Sequence, residues 1–140
     1  MMDPLLAAAR IAQSGMSAQS ERLRVVAENL ANANSTGTAP GSNPYTRRTV
    51  TFRAEFDDLI GDSLVKATEG DRDRAPYRVE REPGHPAADA QGFVKYPNVE
   101  PMLELADMRE ANRSYLANLQ MVKSAREAVN AIIDLLRTTS

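Results

Sequence analysis

The chain has no cysteine and no tryptophan, and it holds a single histidine among its 140 residues. Without cysteine it can form neither disulfides nor thiolate metal sites, so its folding does not depend on the redox state of its compartment. The one histidine, His85, lies in a Gly-His-Pro turn and is a poor basis for a metal cage or a catalytic triad. These absences exclude cysteine chemistry and most histidine-dependent chemistry.

An excess of one charge and a long apolar run are also absent. The net charge is −2, with 26% of residues charged, and Arg47 with Arg48 supply too few phosphate contacts for a nucleic-acid surface. No run approaches the ~20 apolar residues of a membrane span, and polar residues interrupt the N-terminal stretch where a secretory signal needs a continuous apolar core. We therefore expect no nucleic-acid partner, no membrane helix and no cleaved signal peptide.

Groups that could support catalysis are few. Asp57 with Asp58, and Glu100 with Glu104, are carboxylate pairs that could hold a divalent ion, but no calcium-loop spacing surrounds them. No glycine is followed by the Lys-Ser/Thr pair of a phosphate-binding loop. We expect no catalytic residue, no metal, no cofactor and no small-molecule substrate, and the chain is predicted not to be an enzyme.

Two long segments, one at each end of the chain, carry residues at alternating spacings of three and four, the spacing of a coiled-coil seam. The first helix is predicted from about Pro4, with Asp3 as its N-cap, to about Ala33. It would be roughly 45 Å long, more than a domain of this size needs for its own core. The predicted interface residues on the two seams are Leu5, Ala12, Met16, Leu23, Val26, Leu30, Leu105, Met108, Tyr115, Leu119, Val122, Val129, Ile133 and Leu136.

Gly15 lies inside the first predicted helix, where glycine costs about 1 kcal/mol relative to alanine. Its neighbours Ser14 and Ala18 are also small. Two interpretations are open at this point: a weakness that the helix tolerates, or the close approach of another backbone.

The middle of the chain, residues 34–97, is predicted to be loop-rich, with too few apolar residues for a core of its own. Residues 34–43 contain the types that end helices and form turns, and the charged run Glu69–Arg74 and the Pro-Gly-His-Pro segment at 83–86 are predicted as turns or surface loops. The first predicted strand alternates, which fits a strand half-buried through Phe52 and Phe56. Short strands are predicted at Tyr45–Phe56, Tyr77–Glu82 and Phe93–Tyr96.

The second helix is predicted from Asn98, as its cap, to about Arg137, with Pro101 in its first turn. The chain is thus divided into an N-terminal coiled-coil helix at 1–33, the middle segment at 34–97 and a C-terminal coiled-coil helix at 98–140, together forming a single domain. The predicted fold class is mainly α, with the two long helices pairing as a coiled coil around a short, irregular segment that contains β-strands.

Several motifs at both ends are familiar. Ser14-Gly15-Met16, the Asn-Leu-Ala-Asn-Ala-Asn-Ser block at 29–35 and the Pro-Tyr-Thr-Arg-Arg segment at 44–48 resemble the N-terminal signature of the bacterial flagellar axial proteins, the rod and hook family. Residues 92–99 and 113–118 look like the C-terminal signature of its proximal rod members. The length agrees, because the distal rod and hook relatives insert an additional domain. Leu116, where the family usually has glutamine, and Pro44, where glycine is frequent, are departures.

The resemblance implies that the terminal helices stack into a helical tube, the driveshaft that crosses the periplasm and transmits motor torque. It implies as partners other copies of the chain, proximal and distal rod subunits, the MS-ring/rod junction protein and the flagellar type III export apparatus, which would export the chain without a cleaved signal. Asn29, Asn32, Asn34 and Tyr45 would shape the turn after the first helix. The alternative is a cytoplasmic coiled-coil adaptor or export chaperone.

Overall fold

In the computed structural model, which describes residues 3–138, two long helices flank four strands along the chain. Strands β1 and β2 form one two-stranded sheet, and β3 pairs antiparallel with β4 in another. About half of the chain is helical, which confirms the predicted mainly α class with a small β-containing middle. The elements are α1 Pro4–Ala31, β1 Arg48–Asp57, β2 Asp62–Arg72, β3 Arg78–Arg81, β4 Phe93–Tyr96 and α2 Pro101–Thr138.

The chain divides into two compact units, and each takes part of both helices. Within the described residues, the first unit comprises 3–22, 51–68 and 110–138, and the second comprises 23–50 and 69–109. The first therefore contains most of both helices and the outer part of the β1–β2 hairpin. The second contains the end of α1, the start of α2 and the β3–β4 sheet.

The start of α1 is as predicted, because the Asp3 carboxylate accepts a hydrogen bond from the Leu5 N–H at 2.8 Å. Pro4 occupies the first helical position, where a missing N–H leaves no donor unsatisfied. The helix ends at Ala31, close to the predicted Ala33, and an irregular stretch follows, as expected from its turn-forming residues.

The predicted cap of α2 is wrong. The helix begins at Pro101 rather than Asn98, because the Asn98 amide is engaged elsewhere. Its oxygen accepts from the Arg47 N–H at 2.8 Å, and its nitrogen donates to the carbonyls of Asp73 and Ala75. Asn98 thus connects three backbone segments of the second unit, and proline at the first position of α2 needs no donor partner.

Two predictions for the hairpin are also wrong. The run Glu69–Arg74 is not all loop, because β2 extends to Arg72. The sequence does not reveal β2 as a strand, because most of its residues are exposed and show no apolar alternation. The strand forms by pairing with β1. Likewise β1 does not bury an apolar side: Phe52 and Phe56 are 42% and 64% exposed, since a two-stranded ribbon is too narrow to cover a face.

Small side chains form the core of the first unit. Five residues of α1 and α2 are buried there, and each is alanine or valine: Ala12, Ala18, Ala111, Val122 and Ala125. Small residues let helix axes approach closely, but they bury little apolar area each. The hairpin is attached to α1 through Ser14, whose hydroxyl accepts from the Val65 N–H at 3.1 Å.

Gly15 lies where α1 faces α2 in this unit. A Cβ added there would be 2.7 Å from Nδ2 of Asn118 on α2. The nearest atoms belong to a side chain, so the close contact at this position is with Asn118 rather than with another backbone.

We expect Gly15→Ala to give no gain in stability, although alanine favours a helix by about 1 kcal/mol, because the new methyl group would displace Asn118. In an Asn118→Ala background the same change should raise the unfolding free energy by about 1 kcal/mol, which urea unfolding followed by circular dichroism measures. An equal effect of Gly15→Ala in both backgrounds would show that the two sites are not coupled.

Candidate functional site

A buried amide organises the second unit near the end of α1. Asn29 is 1% exposed. Its Nδ2 donates to the Arg48 carbonyl at 2.9 Å and to Glu104 at 3.2 Å, while its Oδ1 accepts from the Arg48 N–H at 2.9 Å and from the Tyr45 hydroxyl at 2.8 Å. The amide thus bonds both backbone groups of the first residue of β1, as a neighbouring strand would. It fixes where the strand begins.

Glu104, in the first turn of α2, is the second buried polar residue of this group and is also 1% exposed. Besides Asn29 it binds Nε of Arg47, which also pairs with Asp73 at 3.3 Å. Burial lowers the pKa of Arg47, but the hydrogen bonds and charges of Glu104 and Asp73 together outweigh it and raise the pKa above its usual value. A buried carboxylate requires such a partner. The Glu104 carboxylate therefore pairs with Arg47 and does not form an ion site with Glu100.

Four charged residues of alternating sign form a ring on the surface of the second unit. Arg48 pairs with Glu28 at 3.3 Å and with Glu69 at 2.9 Å, and Arg24 reaches the same two carboxylates. Exposed pairs of this kind each contribute little to stability. They do show that Arg48, like Arg47, is engaged within the chain, as expected for salt-bridge partners.

The remaining residues of the predicted turn lie beside this amide. Asn32 donates to the Glu28 carbonyl at 2.9 Å and accepts from the Ser35 hydroxyl at 3.0 Å, whereas Asn34 is exposed. Burial, and then the charge of Glu28, raise the pKa of Tyr45 above 10.0. The turn is therefore built by Asn29, Asn32 and Tyr45, with Asn34 on its outer side.

The predicted interface residues differ in exposure. Ala12, Val26 and Val122 are buried within the chain, while Leu105, Ile133 and Leu136 are 39%, 47% and 63% exposed. The others are half-buried, namely Leu5, Met16, Leu23, Leu30, Met108, Tyr115, Leu119 and Val129. The predicted seam residues of α2 are thus partly buried within the chain and partly exposed, whereas those of α1 are buried or half-buried.

The last turns of α2 expose apolar side chains that the seam pattern did not include. Every residue from 131 to 138 is exposed, and Ile132 and Leu135 are 48% and 66% exposed beside the predicted Ile133 and Leu136. We call these four residues the α2 tail surface. Exposed apolar side chains grouped at one helix end are a candidate contact surface, and the two adjacent apolar pairs around Asp134 were its signal in the sequence.

The described part of the chain contains neither a candidate membrane span nor a candidate metal site. Within residues 3–138 neither helix has the length and apolar content needed to cross a membrane. In the same residues no three histidine, aspartate or glutamate side chains lie close enough together to hold a metal ion.

Comparisons with known proteins match both ends of the chain. Residues 10–37 match the family described as "Flagella basal body rod protein", and residues 90–135 match "Flagellar basal body rod FlgEFG protein C-terminal". The chain is 54% identical over 138 residues to the flagellar basal-body rod protein FlgC of Agrobacterium fabrum, covering 99% of each. It is 40% identical over 116 residues to FlgC of Salmonella typhimurium, covering 83% of this chain and 86% of that one. FlgC of Borreliella burgdorferi is 28% identical over 150 residues, covering 95% and 98%.

We expect Asn29→Leu to lower the unfolding free energy by about 3 kcal/mol or more, because it leaves the Arg48 backbone groups and the Tyr45 hydroxyl without their partner. Asn34→Ala, on the exposed side of the same turn, is the matched control and should change it by less than about 0.5 kcal/mol. Urea unfolding measures both changes, and hydrogen exchange of the Arg48 amide locates the first. Equal effects of the two substitutions would mean that the Asn29 amide does not hold the turn.

Proposed function

Because the chain belongs to the family of the flagellar basal-body rod protein FlgC, we propose that it polymerises through its terminal helices into the proximal rod, the section of driveshaft that crosses the periplasm and transmits motor torque. Family membership makes it a rod component of the bacterial flagellar basal body that assembles with other rod components, and it confirms the resemblance inferred from the motifs. The alternative, a cytoplasmic adaptor or export chaperone, has no support in the comparisons. We infer a mechanical role rather than a catalytic one.

The observation that supports polymerisation is the α2 tail surface. These four apolar side chains are 47% to 66% exposed, whereas the described residues that the first unit buries are all alanine or valine. Covering them with another subunit removes apolar area from water at about 25 cal/mol per Å². Assembly therefore offers the helix ends a stabilisation that the separate chain lacks.

The small core also supports export in an unfolded form. Few large side chains are fully buried, and without cysteine no crosslink resists unfolding. We extend the proposal to passage through the flagellar type III export apparatus. The further partners in this proposal are the MS-ring/rod junction protein and the neighbouring proximal and distal rod subunits.

Replacing Ile133 and Leu136 with aspartate should abolish rod assembly and swimming while leaving expression and the monomer's thermal unfolding unchanged, because both side chains are exposed in the free chain. Gln120→Asp, an exposed change on the same helix, is the control and should leave swimming intact. Val26→Asp is less informative, since Val26 is 2% exposed and its replacement would unfold the second unit. Normal swimming of the double aspartate variant would contradict the assigned surface.

Electron microscopy of basal bodies from a strain that lacks this chain tests the function directly. We expect the inner-membrane ring without the rod or anything beyond it, and we expect complementation to restore both. Complete rods in the deletion strain would exclude a structural rod subunit and favour the adaptor.

A further inference from the structure

The tip of the β1–β2 hairpin is an ordered turn that presents one apolar side chain. The Asp57 carboxylate accepts from the N–H groups of Leu59 and Ile60 at 2.9 and 3.2 Å, and its carbonyl accepts from Gly61 at 2.9 Å. Gly61 has φ of +73°, which glycine adopts without strain. The turn therefore keeps its shape through its own hydrogen bonds. It holds Leu59 at 72% exposure.

Negative charge surrounds this leucine. Asp58 precedes it, Asp62 follows the turn, and both are exposed. We call Asp58, Leu59 and Asp62 the hairpin knob, an apolar centre with an anionic rim. An exposed leucine held in place by a fixed turn loses little conformational freedom when it binds, which favours its use as a contact.

The same unit carries a groove of matching chemistry between α1 and α2. Its cavity volume is about 180 Å³, and the residues that line it include Leu5, Leu6 and Ala9 of α1 and Arg126 and Val129 of α2. A cavity of about 150 Å³ is enough to hold a benzene-sized group, so this one admits a leucine side chain. We call it the helix groove.

The charge of the helix groove is opposite to that of the knob. Arg126 lines it, and no carboxylate is present among the described residues that line the groove. Outside the lining, Arg10 lies one helical turn after Leu6 on α1 and Asp134 one turn after Asn130 on α2. An apolar hole that contains an arginine complements an apolar knob with an anionic rim.

We propose that the hairpin knob of one copy of this chain inserts into the helix groove of a second copy, with Asp58 and Asp62 facing Arg126 and Arg10. In a single chain Leu59 is exposed and the groove is open, so neither surface satisfies the other internally. Because the two surfaces differ, the contact leaves a knob and a groove free at the ends, so further copies can add by the same contact, as a filament requires. The inference rests on the proposed function and adds a contact separate from the α2 tail surface.

Disulfide crosslinking tests this contact. Because the chain has no native cysteine, only the introduced cysteines can crosslink. The double variant Leu59→Cys with Leu6→Cys, oxidised as concentrated purified chain and in isolated basal bodies, should give a ladder of covalent oligomers. Each single variant should give dimers at most. Leu59→Cys with Leu116→Cys is the matched control, since Leu116 is as exposed as Leu6, at 53% against 52%, but lies outside the groove.

Charge reversal provides a second measurement. Asp58→Arg or Arg126→Glu in the double-cysteine chain should each lower the ladder yield by about tenfold, and the two together should restore it. A ladder that ignores these changes would contradict the pairing of charges. A fast-migrating monomer, which means the knob reaches its own groove, or no ladder in either sample, would overturn the proposal.

The two hypotheses can fail separately. If the chain is present in basal bodies but gives no ladder there or in solution, the knob contact is wrong and the rod function stands. If the purified chain gives a ladder but is absent from basal bodies, the contact stands and the rod function is wrong.

Discussion

The buried side-chain amide of Asn29 forms four hydrogen bonds. The arrangement of the second unit depends on them. A buried amide costs several kcal/mol unless its donors and acceptors are satisfied. Here it is satisfied by both backbone groups of Arg48, by the Tyr45 hydroxyl and by Glu104, which Arg47 neutralises. Loss of one partner would leave the others buried without a hydrogen bond, so these contacts link the end of α1, the start of β1 and the start of α2.

The first unit follows a different rule. Its fully buried helix residues are alanine and valine, which gain little from each buried side chain. Larger apolar residues, among them Ile132 and Leu135, are exposed. Such a division suits the assembly that we propose, because exposed apolar side chains can be covered by a neighbouring subunit.

Sequence patterns predicted both helices and three of the four strands, since the helix seam and the alternation in the middle are read directly from apolar spacing. They missed β2, whose exposed residues carry no alternation, and they misplaced the cap of α2, because Asn98 is held by backbone groups of Asp73 and Ala75 that are distant in sequence. The motif residues Asn29 and Tyr45 were identified, but not their link to Glu104. That link joins two ends of the chain and depends on the fold rather than on local propensity.

The loop between α1 and β1 is closed at its base. The Tyr45 N–H donates to the Ser35 carbonyl at 3.0 Å, and the Asn29 amide holds Arg48 just beyond. Residues 38–41, between Ser35 and Tyr45, are exposed, and lengthening a loop whose ends are already joined costs little entropy. Residues 38–41 are accordingly a natural place to insert an epitope or a fluorophore that reports the position of the subunit without altering the path of either helix.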